Sequence, residues 1–459
     1  MRNTAGTQLE YEARLSAFRR EDRCDALGKL NALLRSGRVA VVPEQPLVNL
    51  HSHTFYSFNA YGYSPSSLAW EAKKRGLSAF GIMDHETLAG VEEFLDACRL
   101  LAVRGLGGIE TRVFIPGWSD REINMPGEPG VFGFLGCGFT SGTAPAGSKA
   151  QKLLVRMASS ARDRNLSLIS KLNGHLVDIE ISYEREVLAL VPTGGTATER
   201  HIALLLESKA RSVFPDPAAQ AAFWSGALEL GKVEVARALA VPGELALSIR
   251  SRLMKRDGPC YCPATRESYP SLGESIAMMR ELQAVPVAGW LDGMSRGEQD
   301  PRLLLDLMKE NDVPAISIIP DRNWNIPDQE MRQRKTHKLH EILDESLKRK
   351  MVLVVGTDMS KHGQKFVDDF NAEPLKPFAA EFVRGAMILV GHARLLESVG
   401  VGLSSAEVDE RFQGNLDRRN AFFAELGSYE APANEQEGAE LRAVAERMWG
   451  SRGGPNGNA

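Results

Sequence analysis

Residues 46–85 read PLVNLHSHTFYSFNAYGYSPSSLAWEAKKRGLSAFGIMDH, two short apolar runs separated by an amphipathic segment. Ser64 and Pro65 are typical of a helix start, and Gly76 is typical of a helix end. The same order continues over residues 90–115, where another amphipathic segment precedes another apolar run. Strand, helix and strand at this spacing predict right-handed βαβ units with parallel pairing. The fold class predicted from this stretch is α/β.

Two histidines end the first apolar run. Alternate side chains of a strand lie on one face, so His51 and His53 are expected to project together. That placement suits two imidazoles that bind one metal ion. An exposed, hydrogen-bonded pair at a strand end is the other interpretation, and the pair alone does not decide between the two.

More ionisable residues fall at the ends of apolar runs. Asp84 and His85 end the second run, Glu110 lies in GIETRVF, and Asp358 ends MVLVVGTD. The carboxyl ends of strands in an α/β barrel converge on one mouth, so these residues can meet although they are distant in sequence. Imidazoles with carboxylates suit Zn²⁺, Mn²⁺ or Fe²⁺. A helix cap for His85, a salt bridge for Glu110 and a loop cap for Asp358 are the structural alternatives, and only their shared placement favours ligation.

The pattern divides the chain into a barrel with added helices. Residues 1–45 have helical spacing and are predicted to form an N-terminal helical extension. Residues 46–398 alternate strands and helices, interrupted at about 146–280 by a mostly helical insertion. Residues 399–459 are predicted to be C-terminal helices that end in a disordered tip, SRGGPNGNA.

Composition narrows the class of protein. The chain has 459 residues and five cysteines, and its polar start has no signal-peptide pattern, so a reducing, cytoplasmic setting is expected. No apolar run is long enough to predict a transmembrane helix. The net charge is −4 without a basic block, which argues against nucleic acid as a partner and favours a small molecule. Oligomeric state is left open by the sequence.

Four segments together resemble the ordered motifs of a known family. They are NLHSHTFYSFNAYGYSP (49–65), GIMDHETLAG (81–90), GIET (108–111) and VVGTDMSKHGQ (354–364). These look like the motifs of the PHP superfamily, named for polymerase and histidinol phosphatase. The resemblance implies a distorted (β/α)7 TIM-like barrel around one to three divalent ions.

The resemblance also implies roles for individual residues. His51, His53, Glu110 and Asp358 match a first metal site, with Glu110 as a bridge to a second ion, and His85 matches a ligand of a third. Asn59 and His362 are further candidate ligands at less regular positions. Asp84 is expected to orient a ligand or take part in catalysis, and His85 or His362 to supply a proton to the leaving group. Arg200 and His201, in TERHIALLL, are candidates for binding phosphate, although a solvated helix surface is an equal alternative for Arg200.

Two positions depart from the family pattern. Where relatives present a histidine, this chain has VFGFLG, with Phe134 at the expected ligand position, and VAGWLDG, with Gly289 or Trp290 there. The second metal site is therefore expected to have few ligands. Either Asp292 or another group replaces the histidines, or the enzyme uses fewer ions, or the site is degenerate.

Together these features predict a metal-dependent hydrolase of small phosphate esters that acts through metal-activated water. Zinc, manganese and iron are the ions expected, and a small-molecule phosphate ester is the expected partner. A nuclease of the same superfamily is one alternative. A catalytically degenerate protein that only binds metal or serves as a scaffold is the other.

Overall fold

Eight strands form the central sheet of the computed structural model, which describes residues 2–450. They are β1 (Gln45–Asn49), β2 (Leu77–Gly81), β3 (Asp84–His85), β4 (Gly105–Phe114), β5 (Val131–Phe139), β6 (Val285–Trp290), β7 (Ala315–Ile318) and β8 (Val352–Val355). Seven of them follow the order β1-β2-β4-β5-β6-β7-β8, and the short β3 pairs with β4. The predicted α/β class and barrel-like sheet are confirmed. The predicted disordered tip, SRGGPNGNA, lies outside the described residues.

Not every strand pair is parallel. The pairs β1–β2, β2–β4, β6–β7 and β7–β8 are parallel, whereas β5 runs antiparallel to both β4 and β6. The chain returns from β4 to β5 through residues 115–130, which contain only the short helical turn Pro116–Trp118. Because no crossover helix separates the two strands, an antiparallel return is the available connection. This single reversal is the distortion of the barrel.

Backbone hydrogen bonds join the first and last strands at their carboxyl ends. The Leu50 amide donates to the Val355 carbonyl at 2.7 Å, and the Asp358 amide donates to the His51 carbonyl at 2.7 Å. The His53 amide donates back to the Asp358 carbonyl at 3.0 Å. The sheet is thereby nearly closed, and the segments after β1 and β8 lie side by side at its mouth.

Seventeen α-helices of the described part of the chain surround or extend the sheet. They are α1 (Arg2–Arg14), α2 (Arg20–Arg35), α3 (Pro65–Lys74), α4 (Val91–Leu101), α5 (Lys149–His175), α6 (Glu199–Val213), α7 (Pro217–Leu228), α8 (Lys232–Ala240), α9 (Glu244–Ile249), α10 (Leu272–Glu281), α11 (Pro301–Glu310), α12 (Asp321–Trp324), α13 (Gln329–Lys348), α14 (Ala379–Val399), α15 (Ala406–Phe412), α16 (Leu416–Ser428) and α17 (Glu435–Gly450). As predicted, Ser64 caps α3 by accepting the Ser67 amide, and Gly76 follows with a positive φ of 69°. Within residues 2–450, none of these helices has the length and apolar character needed to cross a membrane.

Two hydrophobic clusters divide the described residues. The larger contains the sheet, its surrounding helices and the terminal helices. The smaller lies within residues 168–262 and belongs to the helices between β5 and β6. Helix α5 contributes to both, with Leu153 and Met157 in the larger cluster and Leu168 and Leu172 in the smaller. The inserted segment 149–262, which carries α5 to α9, is called the insertion below.

Candidate metal centre

Three side chains converge at the mouth of the barrel. The Nε2 atoms of His51 and His53 lie 3.0 and 3.3 Å from Glu110 Oε2. One possible ligand atom from each residue lies within 4.8 Å of the other two. Both histidines follow β1, and Glu110 lies on β4, so the convergence depends on the sheet and not on a local motif. We call these three residues the metal cluster.

Asp358 borders the metal cluster from the segment after β8. Its Oδ1 lies 2.9 Å from His53 Nε2, and its Oδ2 accepts a hydrogen bond from Ser360 Oγ at 2.7 Å. Arg322, at the start of α12, forms an ion pair with the same Oδ2. Asp358 has a positive φ of 64°, an uncommon conformation for a non-glycine residue. The backbone bond to His51 described above holds this conformation in place.

His85 reaches the same point from β3. Its ring centroid lies 4.1 Å from that of His53, and its Nδ1 lies 3.7 Å from Glu110 Oε2. The strand register explains this, because His85 is the direct neighbour of Glu110 in the parallel β3–β4 pair. The structure therefore brings together five of the seven predicted ligands.

The protonation states suit a cation. Burial lowers the pKa of His51, and burial with the neighbouring His53 holds the pKa of His85 well below its usual value. Burial alone would raise the pKa of Glu110, but the surrounding imidazoles, His85 foremost, hold it well below the usual value. Neutral imidazoles and an ionised carboxylate are the forms that bind metal ions.

One observation tests whether the residues fit such an ion. The buried Nε2 of His53 has no hydrogen-bond partner among the described residues, although Glu110 and Asp358 lie beside it. His51 Nδ1 lies 3.0 Å from Ser317 Oγ, which can fix the ring so that Nε2 faces the cluster. Two imidazole nitrogens facing two carboxylates form a donor set suited to a divalent ion. The residues fit.

Asp84 lies behind the metal cluster. Its carboxylate accepts hydrogen bonds from the Thr54 amide, Thr54 Oγ1 and Ser57 Oγ at 2.8, 2.6 and 2.7 Å. Ser57 Oγ lies 3.3 Å from His53 Nδ1, so Asp84 acts on His53 through Ser57. The predicted orienting role matches this position, whereas direct catalysis by Asp84 does not, because it lies away from the cavity.

Asn59 and His362 are corrected as ligands. The Asn59 amide donates to the His53 carbonyl at 2.8 Å, and its oxygen accepts the Tyr61 amide at 2.8 Å. These bonds to its own loop leave it no role at the cluster. His362 is exposed, its ring packs edge-on against Tyr61, and it lines a separate, smaller cavity. Its predicted roles as ligand and proton donor gain no support at the metal cluster from this position.

The two residues predicted to bind phosphate, Arg200 and His201, both lie in the first turn of α6, but only one of them lines the main cavity. Arg200 lines the main cavity and donates to Ser360 Oγ at 2.9 Å. The neighbouring His201 is buried instead, where its Nδ1 accepts the Thr198 amide at 3.1 Å and caps α6. Burial lowers the pKa of His201 to about 4, so it is neutral. His201 is therefore corrected from a phosphate ligand to a helix-capping residue.

A cavity of about 1050 Å³ lies above the metal cluster. Sequence reasoning missed several basic side chains that line it: Arg112, Arg164, Arg250, Lys255 and Arg322. Arg112 had a usable signal, because it lies two residues after Glu110 and so on the same strand face. The basic residues of the insertion had no such signal in the sequence, since the alternation of side chains along a strand does not predict which helices pack over the barrel mouth.

Several of these basic residues are paired with carboxylates that are buried or half-buried. Arg164 donates to both oxygens of Glu86 at 2.8 Å. Glu199 pairs with Arg250 and Lys255 at 2.8 and 2.7 Å, which lowers its pKa to about 2 against the effect of burial. These pairs fix the cavity wall. By contrast, no carboxylate of the described residues forms an ion pair with Arg200.

The position of Phe134 differs from the expectation. In the β4–β5 register Leu135, not Phe134, is the partner of Glu110, so Leu135 faces the cavity. Phe134 lies on the other face and is fully buried in the larger hydrophobic cluster. Because side chains alternate along a strand, a shift of one residue in the register moves a side chain to the other face of the sheet. The prediction that β5 supplies no ligand stays valid, since leucine cannot bind a metal.

Strand β6 supplies no replacement ligand within the described residues. Gly289 and Trp290 line the cavity, and the Asn124 amide bridges the carbonyls of Gly133 and Gly289 at 3.0 Å each. Asp292, the suggested substitute, pairs with Lys335 at 2.8 Å and lies outside the cavity lining.

One family model matches part of the chain. Residues 49–209 match the family model of the PHP domain. Error-prone DNA polymerases from Mycobacterium bovis and Cutibacterium acnes are 35 % and 30 % identical over 82 and 115 residues, which cover 18 % and 23 % of this chain. The chain spans only 8 % and 10 % of those relatives' own length.

Two solved structures resemble the chain weakly. A candidate metal-dependent phosphoesterase from Bifidobacterium adolescentis has a TM-score of 0.46 and 19 % identity, over 74 % of this chain and 98 % of that one. An amidohydrolase from Chromobacterium violaceum, with bound sulfate and no metal, has a TM-score of 0.49 and 14 % identity, over 74 % and 96 %.

Proposed function

We propose that the protein is a metal-dependent hydrolase of small phosphate esters, which the match of residues 49–209 to the PHP domain model supports. The observation that carries the proposal is the metal cluster of His51, His53 and Glu110 beneath a large cavity with basic walls. The cluster supplies a place for a cation, and the basic walls supply a place for an anion.

The residues that would hold the ion are the metal cluster and Asp358, with His85 alongside. A divalent ion held there would lower the pKa of a water molecule and polarise a phosphoryl oxygen. Zn²⁺, Mn²⁺ and Fe²⁺ all suit this donor set. One ion is best supported, since β5 and β6 offer no ligating side chain at the described positions that face the cavity.

Three arginines favour an anionic substrate. Burial, followed by the charges of Arg250 and Arg322, lowers the pKa of Arg200 to about 9. Guanidinium groups that oppose one another's charge in this way gain stability when an anion lies between them. Arg200 also reaches the metal side of the cavity, because its partner Ser360 bonds to Asp358. Arg200 is accordingly assigned to bind the phosphate.

Among the three residues considered for proton transfer, only His85 lines the main cavity. Asp84 lies behind His53, and His362 lies in the smaller cavity. The lowered pKa of His85 keeps its imidazole neutral, which suits metal ligation more than proton donation. We therefore assign His85 to the metal side of the site.

The test measures metal content and turnover together. Purified protein is loaded with Mn²⁺ or Zn²⁺, and hydrolysis of ethyl phosphate is followed for wild type, His53→Ala and His337→Ala. His337 is exposed on α13 and serves as the matched control. We expect metal-dependent turnover that falls at least about 100-fold in His53→Ala and is retained in His337→Ala.

Other outcomes point to the alternatives. Bound metal without turnover of any ester would favour the degenerate, metal-binding scaffold. Metal-dependent cleavage of DNA, with binding that weakens steeply as salt rises, would favour the nuclease. Absence of bound metal after loading would overturn the proposal.

A further inference from the structure

A second cavity of about 200 Å³ adjoins the metal centre. It lies between α6, α9 and the segment after β8. Its walls are mainly apolar and include Phe58, Ala203, Leu204, Val241, Ala246 and Leu247, beside the polar Glu244, Arg250, Lys361 and His362. Leu204 and Val241 are 37 % and 53 % exposed, which leaves apolar surface open at this place.

Three polar residues, Arg200, Arg250 and Ser360, line both this cavity and the main cavity. Ser360 Oγ donates to Asp358 at 2.7 Å and receives a hydrogen bond from Arg200 at 2.9 Å. Two hydrogen bonds thus span the space between a metal-site carboxylate and the apolar walls. A substituent on a phosphate held by Arg200 can reach the apolar cavity without leaving the metal.

The size of the cavity limits what it can hold. An apolar cavity of roughly 150 Å³ accepts one benzene molecule. A cavity of about 200 Å³ therefore fits one aromatic ring with a short linker, or a branched alkyl group of similar volume. A polar group placed against Leu204 and Val241 would lose its hydrogen bonds to water without replacement, which costs free energy.

We propose that the smaller cavity is the specificity pocket of the hydrolase and takes an apolar, ring-sized group on the alcohol part of the phosphate ester. This inference rests on the proposed function. In the reaction water adds across the ester: its oxygen bonds to phosphorus, the phosphorus–oxygen bond to the alcohol breaks, and the alcohol leaves with a proton. The pocket binds the departing apolar group and does not touch the reacting atoms.

The experiment compares benzyl phosphate with ethyl phosphate, whose leaving alcohols differ little in acidity. We expect metal-loaded wild type to prefer benzyl phosphate in kcat/KM by at least about ten-fold. Leu204→Trp fills the pocket and should abolish that preference, and Ala246→Leu gives a second, smaller filling variant. Val233→Trp, on the exposed surface of α8, is the matched control and should keep the preference.

Binding supplies a readout independent of turnover. Calorimetry with benzylphosphonate and ethylphosphonate should show the same preference in wild type and its loss in both filling variants. Equal kcat/KM for the two esters and equal binding of the two phosphonates would overturn the proposed specificity pocket but not the proposed hydrolase function. Hydrolysis of neither ester, with benzylphosphonate still preferred, would overturn the proposed function and leave the pocket. A concentration-dependent dimer lost only in Leu204→Trp would assign the cavity to a second copy instead and overturn the inference.

Discussion

Asp84 contacts no ligand directly, yet three hydrogen bonds connect it to the loop that carries His53. Asp84→Asn keeps the shape but loses acceptor capacity, so Ser57 should no longer be held against His53. We expect affinity for Mn²⁺ or Zn²⁺ to fall roughly 10- to 100-fold, measured by competition with a chelating dye. Asp96→Asn, on the exposed surface of α4, should leave the affinity unchanged.

A second titratable residue lies away from the metal and should affect stability. Burial raises the pKa of Asp368 to about 6, and its Oδ2 has no hydrogen-bond partner among the described residues. The folded state therefore holds this proton more tightly than the unfolded state does. The resulting stabilisation is present in acid and is lost as the pH rises from about 4 to about 6.

Asp368→Asn cannot ionise, so the variant should not show that loss. Between pH 4 and pH 7 the free energy of unfolding of wild type should fall by about 2 kcal/mol relative to the variant. Urea denaturation at both pH values measures the difference. Asp369→Asn, at the exposed neighbouring position, is the control, and an equal fall in both variants would contradict the prediction.

Residue positions were predictable from the sequence where a strand decides them. His51, His53 and Glu110 lie on strands or at strand ends, and the alternation of side chains fixes their direction. His201 and His362 were misplaced, because a helix cap in one case and an exposed loop in the other decide where the imidazole points. The direction of each imidazole depends on contacts with residues that are distant in sequence, and a single sequence does not reveal those contacts.

Helix α2 is fastened to α4 by a buried ion pair. Arg23 donates to both oxygens of Glu93, and both side chains are almost fully buried. Arg23→Met leaves Glu93 without its partner in the interior, so the free energy of unfolding should fall by about 3 to 5 kcal/mol. Urea denaturation measures the loss.

A matched pair on the surface gives the control. Arg20 and Asp96 join the same two helices but are largely exposed, so Arg20→Met should cost at most about 1 kcal/mol. The double variant Arg23→Met, Glu93→Gln should be less destabilised than the sum of its two single variants. Equal effects of Arg23→Met and Arg20→Met would show that burial does not matter here.

The periodicity of apolar residues predicted most helices and strands, but it did not predict how the strands pair. Apolar runs predicted β1, β2 and β8, and Ser64 with Gly76 predicted the bounds of α3. The direction of β5 was not predictable, since an apolar strand has the same pattern in either direction. Its register was not predictable either, and a difference of one residue placed Phe134 where the structure has Leu135.

The proposed metal ligands and several basic residues of the cavity wall come from parts of the chain with different hydrophobic clusters. His51, His53, Glu110 and Asp358 lie with the barrel, whereas Arg164, Arg200 and Arg250 come from the insertion. Trp224→Ala removes a fully buried side chain from the smaller cluster and should loosen the insertion locally. We expect KM for the phosphate ester to rise at least about ten-fold and metal affinity to change less than about two-fold.

Steady-state kinetics and metal competition on the same preparation measure the two effects. Val233→Ala, on the exposed surface of α8, should change neither quantity. A parallel loss of metal affinity in Trp224→Ala would mean that the two clusters unfold as one unit.

The hydrogen bonds between the ends of β1 and β8 also set an order of events in the cell. His51 and His53 leave the ribosome early, whereas Asp358 follows only after the insertion and three further strands have been made. Domains fold as they emerge, and the contacts that close this barrel are the last that synthesis permits. Asp358 is thus the last of the four proposed metal ligands to be made, and a metal ion can be held by all four only once the barrel has closed.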